Sequence, residues 1–156
     1  MKSITATWFE CKARFEQTQD DGMIRKVTEQ YVVDAMSFAE AEARITDELQ
    51  QYISGEFEIT SVKKAPYNEV IFMNEDSQSD TRWYKGKLEF ITIDEKKGKE
   101  KRIAVTFLVQ ARSLHNALEN IDTTMKGSMA NYVQANVGET KIVDVLLHAV
   151  PDKETT

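Results

Sequence analysis

The sequence predicts an α+β protein built by internal duplication: a strand-strand-helix-strand(-strand) module occurs twice and packs with pseudo-twofold symmetry. Three observations carry this. Residues 8–71 and 83–146 read as diverged copies offset by about 75 positions, with Trp8-Phe9 returning as Trp83-Tyr84, Lys12 as Lys87 and Phe15 as Phe90. Each copy holds one Ser-capped segment with helical spacing of apolar residues. Each such segment is flanked on both sides by β-rich runs. A repeat this long ranks above any local motif. The expected organisation is a single domain over 1–156, with a first repeat at 7–73, a linker at 74–81, a second repeat at 82–149 and a tail at 150–156. One copy is too small to bury both a sheet face and a helix stripe, so the two are expected to share a core.

In the first copy, Thr7–Gln17 carries spaced large residues and stops at Asp20-Asp21-Gly22, a turn signal. Met23–Ala35 returns through Val27, Tyr31, Val32 and Val33, completing a long hairpin. Ser37-Phe38-Ala39-Glu40 is a capping box, in which the hydroxyl accepts an N–H and the Glu reaches back. Phe38, Ala41, Ile45, Leu49 and Tyr52 or Ile53 then share a helical face, and Gly55 is the expected stop. Phe57–Val62 and Asn68–Met73 follow as β-rich stretches on either side of Pro66.

The second copy repeats this order. Arg82–Ile93 and Arg102–Ala111 form a hairpin around the polar tip Asp94-Glu95-Lys96-Lys97-Gly98-Lys99. Ser113 caps a helix with the stripe Leu114, Ala117, Leu118, Ile121 and Met125, stopping at Gly127; Asn116 stands where the reciprocal Glu would be. Tyr132–Val137 and Val143–Ala149 are the last β-rich runs, and Glu69-Val70-Ile71 returns as Asp144-Val145-Leu146. The stretch Asn74–Thr81 is polar and without apolar period, hence the linker.

Composition excludes several classes. No apolar run approaches the length of a membrane span, and the first residues lack a signal-peptide core, so a cytoplasmic protein without membrane contact is expected. The single Cys11 fits a reducing compartment and allows no intrachain disulfide. Net charge is −6, but residues 1–78 hold 8 Lys/Arg against 15 Asp/Glu, whereas residues 79–156 hold 12 against 11. The copies have therefore diverged in surface charge, either by drift or because each faces a different neighbour.

Catalytic chemistry has no foothold. His115 and His148 have no Cys or carboxylate at metal-ligand spacing, and Cys11 has no partner motif, so no metal is expected. There is no Gly-x-Ser-x-Gly elbow and no phosphate-cradling glycine loop. Glu40, Glu42, Asp47 and Glu48 read as solvated helix faces. The expectation is no enzyme, no catalytic residues and no cofactor.

Two features suggest binding. The first is the basic tip and flank, Lys96, Lys97, Lys99, Lys101 and Arg102, with Lys85 and Lys87 on the opposing strand. Such a hairpin can follow phosphates; equally, it can be a solvated tip that discourages edge pairing. The second is the aromatic pair Trp83 and Tyr84, either a stacking surface for bases or a core anchor. Tyr52, Tyr67 and Tyr132 read as packing residues.

The string Tyr31 to Ile45, with Gly22 to Glu29, Ile53-Ser54-Gly55-Glu56 and Met125-Lys126-Gly127-Ser128-Met129, resembles an uncharacterised domain-of-unknown-function family of Bacteroidales-type bacteria, their prophages and tailed phages. The resemblance implies a small protein of a bacterium or mobile element and carries over no functional residues. The function expected is a non-catalytic accessory binding protein that takes nucleic acid, single strands above all, through the basic hairpin. The alternative is a protein- or nucleotide-binding inhibitor or sequestering protein in phage–host conflict, an anti-defence role. A homo-oligomer, most simply a dimer, is expected from exposed strand edges.

Overall fold

Each long apolar-alternating run forms the strand that its period requires. In chain order the elements are β1 (Lys2–Ile4), β2 (Trp8–Thr18), β3 (Ile24–Asp34), α1 (Phe38–Gln50), β4 (Phe57–Lys64), β5 (Glu69–Phe72), β6 (Arg82–Asp94), β7 (Lys99–Ala111), α2 (Leu114–Met125), β8 (Asn131–Glu139) and β9 (Ile142–Leu146). Among the described residues the protein is a mixed α+β fold with two helices and nine strands in two sheets. The computed structural model describes residues 1–74, 79–128 and 130–148. Residues 75–78 of the expected linker and all of the expected tail at 150–156 lie outside the described residues.

The chain forms two compact units. One comprises Thr7–Ala65 and the segment from Ile142 onward, with sheet order β4-β2-β3-β9. Phe9, Cys11, Ala13, Tyr31 and Val33 on one face of its sheet pack against Ala41, Ile45 and Leu49 of α1. The other comprises Met1–Ala6 and Pro66–Lys141, with sheet order β1-β5-β7-β6-β8. There Ile121 of α2 packs with Ile71, Leu88, Phe107 and Val109, while Ala117 packs with Tyr84 and Ala111.

Neither unit is continuous in sequence, because β5 joins the sheet of β6 and β7 while β9 joins that of β2 and β3. Strand β5 pairs in parallel with β7, through Glu69↔Phe107, Val70↔Leu108 and Ile71↔Val109. Strand β9 pairs in parallel with β3, through Tyr31↔Asp144, Val32↔Val145 and Val33↔Leu146. Period and composition say nothing about which sheet a four- or five-residue apolar run will enter. The strand β1, which no sequence signal announced, pairs antiparallel with β5 through Lys2↔Phe72, Ser3↔Ile71 and Ile4↔Val70.

Both helices start as the Ser caps dictate. The Ser37 hydroxyl accepts from the Glu40 N–H at 3.1 Å, and the Glu40 carboxylate accepts from the Met36 N–H. In α2 the Ser113 hydroxyl accepts from Asn116 at 3.0 Å, and the Asn116 side-chain oxygen accepts from the Arg112 N–H, also at 3.0 Å. Asn116 thus performs the reciprocal role for which the sequence offers no Glu. The apolar stripes need correction at their first positions. Ile45 and Ile121 are fully buried, but Phe38 is 56% and Leu114 48% exposed. Each is the first residue of its helix, and a helical side chain leans toward the N-terminus, past the sheet residues that later turns cover. Phe38 keeps one edge-on contact with Phe9, centroids 5.0 Å apart. Tyr52 is exposed because α1 ends at Gln50, short of the expected stop at Gly55.

Candidate binding surface

The β6–β7 hairpin is longer than the core beneath it. Its register runs without interruption from Arg82↔Ala111 to Asp94↔Lys99. Full burial ends at Leu88 on β6 and begins at Phe107 on β7. The outer part is an arm. Its tip is closed by the Gly98 N–H donating to the Asp94 carbonyl at 2.7 Å, with Gly98 at φ +64°, where a side chain would be strained. The Asp94 carboxylate accepts from the Lys96 and Lys97 N–H groups at 3.0 and 3.4 Å. Asp94 therefore shapes the turn that presents both lysines.

The sheet period sorts the basic residues onto two faces. Residues opposite each other in an antiparallel pair share a face, so Lys99 and Lys101 lie on the α2 side, with Tyr84, Leu88 and Phe90. Lys85, Lys87 and Arg102 lie on the opposite side, and Lys96 and Lys97 sit in the turn. The basic set is therefore not one continuous stripe. It is also partly neutralised. The Arg102 guanidinium donates to Glu100 at 3.1 Å and to Glu89 at 3.2 Å, and these hydrogen bonds hold its pKa above the usual arginine value. Lys87 lies 4.0 Å from Glu89. Among the described residues Lys96, Lys97, Lys99 and Lys101 have no carboxylate ion-pair partner. Lys85 and Lys87 line an open cleft of about 490 Å³ with Thr106, Asn136 and Thr140.

The aromatic pair is not part of that surface. Trp83 and Tyr84 are each 3% exposed. Tyr84 packs under α2 with Ala111 and Ala117, and Trp83 meets the edge of Phe72 at 5.4 Å. Alternation puts them on opposite faces, Tyr84 under α2 and Trp83 beside Phe72, and both are buried there. A stacking role for Trp83 and Tyr84 is thereby corrected to a packing role. What the charge pattern hid is apolar: Ile93 is 72% and Ile103 46% exposed on the arm. Isoleucines in a β-rich run read as core by default, so only the fold reveals them as exposed, Ile103 on the α2 side and Ile93 on the other.

The remaining candidates fall elsewhere. His115 is exposed beside Glu119 on α2, and the His148 N–H donates to Asp34. Among the described residues no group of three or more His, Cys, Asp or Glu could hold a metal ion. No described helix is long and apolar enough to cross a membrane. Between α2 and β8, the Asp122 carboxylate accepts from the Tyr132 hydroxyl at 2.6 Å and from the Gln134 amide at 2.8 Å. Burial, then that hydrogen bond, pushes the Tyr132 phenol up to about 12. Tyr132, read from sequence as a packing residue, also ties strand to helix.

A family model described as "Domain of unknown function (DUF4494)" matches residues 7–148. No curated protein and no solved structure matches the chain.

Proposed function

We propose, from the premise that this chain belongs to the DUF4494 family, that it is a non-catalytic accessory protein binding a protein partner through the outer β6–β7 arm. The observation that carries this is an arm without a core beneath it, on which Ile93 and Ile103 are exposed among lysines that lack carboxylate partners. Ile103 lies on the face of Lys99 and Lys101 and Ile93 on the other; an exposed apolar side chain beside lysines suits an acidic protein surface, since apolar contact supplies affinity and charge supplies orientation. An inhibitor or sequestering protein of a bacterium or phage is the role that fits, in a reducing cytoplasm where the Cys11 thiol stays free.

Nucleic acid is the second reading, favoured by Lys96, Lys97, Lys99 and Lys101 alone. Without an exposed aromatic platform on the arm it rests on phosphate contacts, so binding would fall steeply with salt.

Duplication of the module is part of this proposal. The pairing of β2 with β4 shifts register between Lys12 and Ala13, and that of β6 with β8 between Lys87 and Leu88, at matching positions of the two halves. The parallel pairs Tyr31↔Asp144 and Glu69↔Phe107 also correspond. Two copies with one acidic and one basic hairpin tip would let only the second engage an anionic partner.

Affinity capture from extract of the source cell, with and without nuclease treatment, tests the arm. The expected result is a partner retained by the wild-type chain and lost both from Ile93→Asp/Ile103→Asp and from Lys96→Glu/Lys97→Glu/Lys99→Glu. Each variant should keep the wild-type melting temperature, because arm side chains bury little. Retention that disappears on nuclease treatment would replace the protein reading with the nucleic-acid one.

A further inference from the structure

We propose that the outer edge of β9 docks an extended segment of a partner protein carrying Ser or Thr at alternate positions, the hydroxyls meeting the Asp144 carboxylate. The proposal is independent of the arm. It rests on a comparison the molecule makes with itself.

Strands β5 and β9 occupy corresponding places, each added in parallel beside the second strand of a hairpin. The outer edge of β5 is filled by β1. Among the described residues, no strand fills the outer edge of β9. The way in which β1 is held shows what such an edge accepts. Antiparallel pairing supplies the backbone contacts, and the Glu69 carboxylate accepts from the Ser3 hydroxyl at 2.8 Å and from the Thr5 hydroxyl at 3.4 Å. The filled edge thus reads a hydroxyl-x-hydroxyl pattern with one carboxylate. In β9 the residue at the Glu69 position is Asp144, a carboxylate again.

The backbone of β9 is disposed to accept a strand. The His148 N–H donates to Asp34 of β3, so His148 faces the inner side. Alternation then turns the N–H groups of Val145 and Leu147 outward. The Val145 N–H is taken by the Asp144 carboxylate at 2.8 Å. This local cap blunts the empty edge, in the manner of the charged residues that protect edge strands. An incoming strand would supply a carbonyl to Val145 and hydroxyls to Asp144, replacing one contact with several. Burial raises the Asp144 carboxyl pKa, the Val145 N–H pulls it down, and Glu48 of α1 adds to the rise. That acidic setting disfavours a second copy of β9, which would bring Asp144 against Asp144, and favours uncharged hydroxyl donors or a flanking Lys such as β1 itself carries.

The test uses the full chain and a fluorescent peptide of the sequence Met-Lys-Ser-Ile-Thr-Ala, read by anisotropy. Saturable binding is expected. It should weaken about tenfold, the equivalent of one or two hydrogen bonds, when Ser and Thr of the peptide become Ala. Asp144→Lys should abolish it, as should Leu147→Pro, which removes one outward N–H. If Leu147→Pro lowers the melting temperature, the Asp144→Lys result decides. Three results would overturn the proposal: no saturable binding; binding unchanged in Asp144→Lys, which would mean the peptide exchanges with β1 on β5; or a dimer by light scattering that Leu147→Pro dissolves, which would assign the edge to a second copy.

Discussion

Truncating Ile45 or Ile121 to Ala destabilises the fold by about 2–5 kcal/mol each, the cost of a buried cavity. Both side chains are fully buried at the centre of a helix–sheet contact, Ile45 over Phe9, Cys11 and Tyr31, and Ile121 over Leu88, Phe107 and Val109. The same truncation at Phe38 costs at most about 1.5 kcal/mol, the worth of one aromatic edge contact, and at Leu114 less. Equal spacing on the same stripes would make all four alike; exposure separates them. Denaturant titration of the four variants checks this, and equal shifts at Phe38 and Ile45 would refute the burial assignment. The pocket beneath α2 has little slack, since a Cβ added at Gly86 would stand 3.0 Å from the Ile121 Cδ1. Gly86→Val should therefore destabilise by about 1–3 kcal/mol through overpacking.

The Cys11 thiol is the second large effect. It occupies in the first hairpin the place that Gly86 holds in the second, under the helix, with no exposed surface. Burial first, then the Glu42 and Glu10 carboxylates, push its pKa from 9.0 to about 11. At about pH 8 only roughly one thiol in a thousand is then ionised, against about a quarter for a free cysteine, and the thiolate is the reactive species. A disulfide reagent should leave the native chain unlabelled over hours and label one thiol per chain at once in denaturant. Prompt native labelling would show that α1 opens readily. The same shift sets an alkaline limit. A thiol whose pKa is higher in the folded state holds its proton more tightly there, so its contribution is fully present below pH 9.0 and is lost as pH rises through about 11. Tyr31, raised by burial and its hydrogen bond to Glu29, acts in the same direction at higher pH. The melting temperature should fall between these values, and Cys11→Ala should flatten the first part of that fall.

Much of this protein is written locally. The Ser37 and Ser113 caps, the 3.6-residue spacing of Ala41, Ile45 and Leu49, and the turn glycines Gly22 and Gly98 each depend on residues a few positions apart. Those elements form as the sequence predicts. Partner choice is not local. The runs Glu69–Phe72 and Ile142–Leu146 carry no mark of the sheet they join, because a short apolar strand fits the edge of any sheet of suitable register. Only the folded chain pairs β5 with β7 and β9 with β3, seats β1 beside β5 and leaves β9 without a described strand on its outer side. Exposure is equally collective. Trp83 and Ile93 lie on the same strand, and an apolar side chain reads alike in sequence whether it is roofed or bare. Where cover ends along a hairpin is decided by the folded chain, so the sequence determines the elements while tertiary packing decides which of their faces remain to meet a partner.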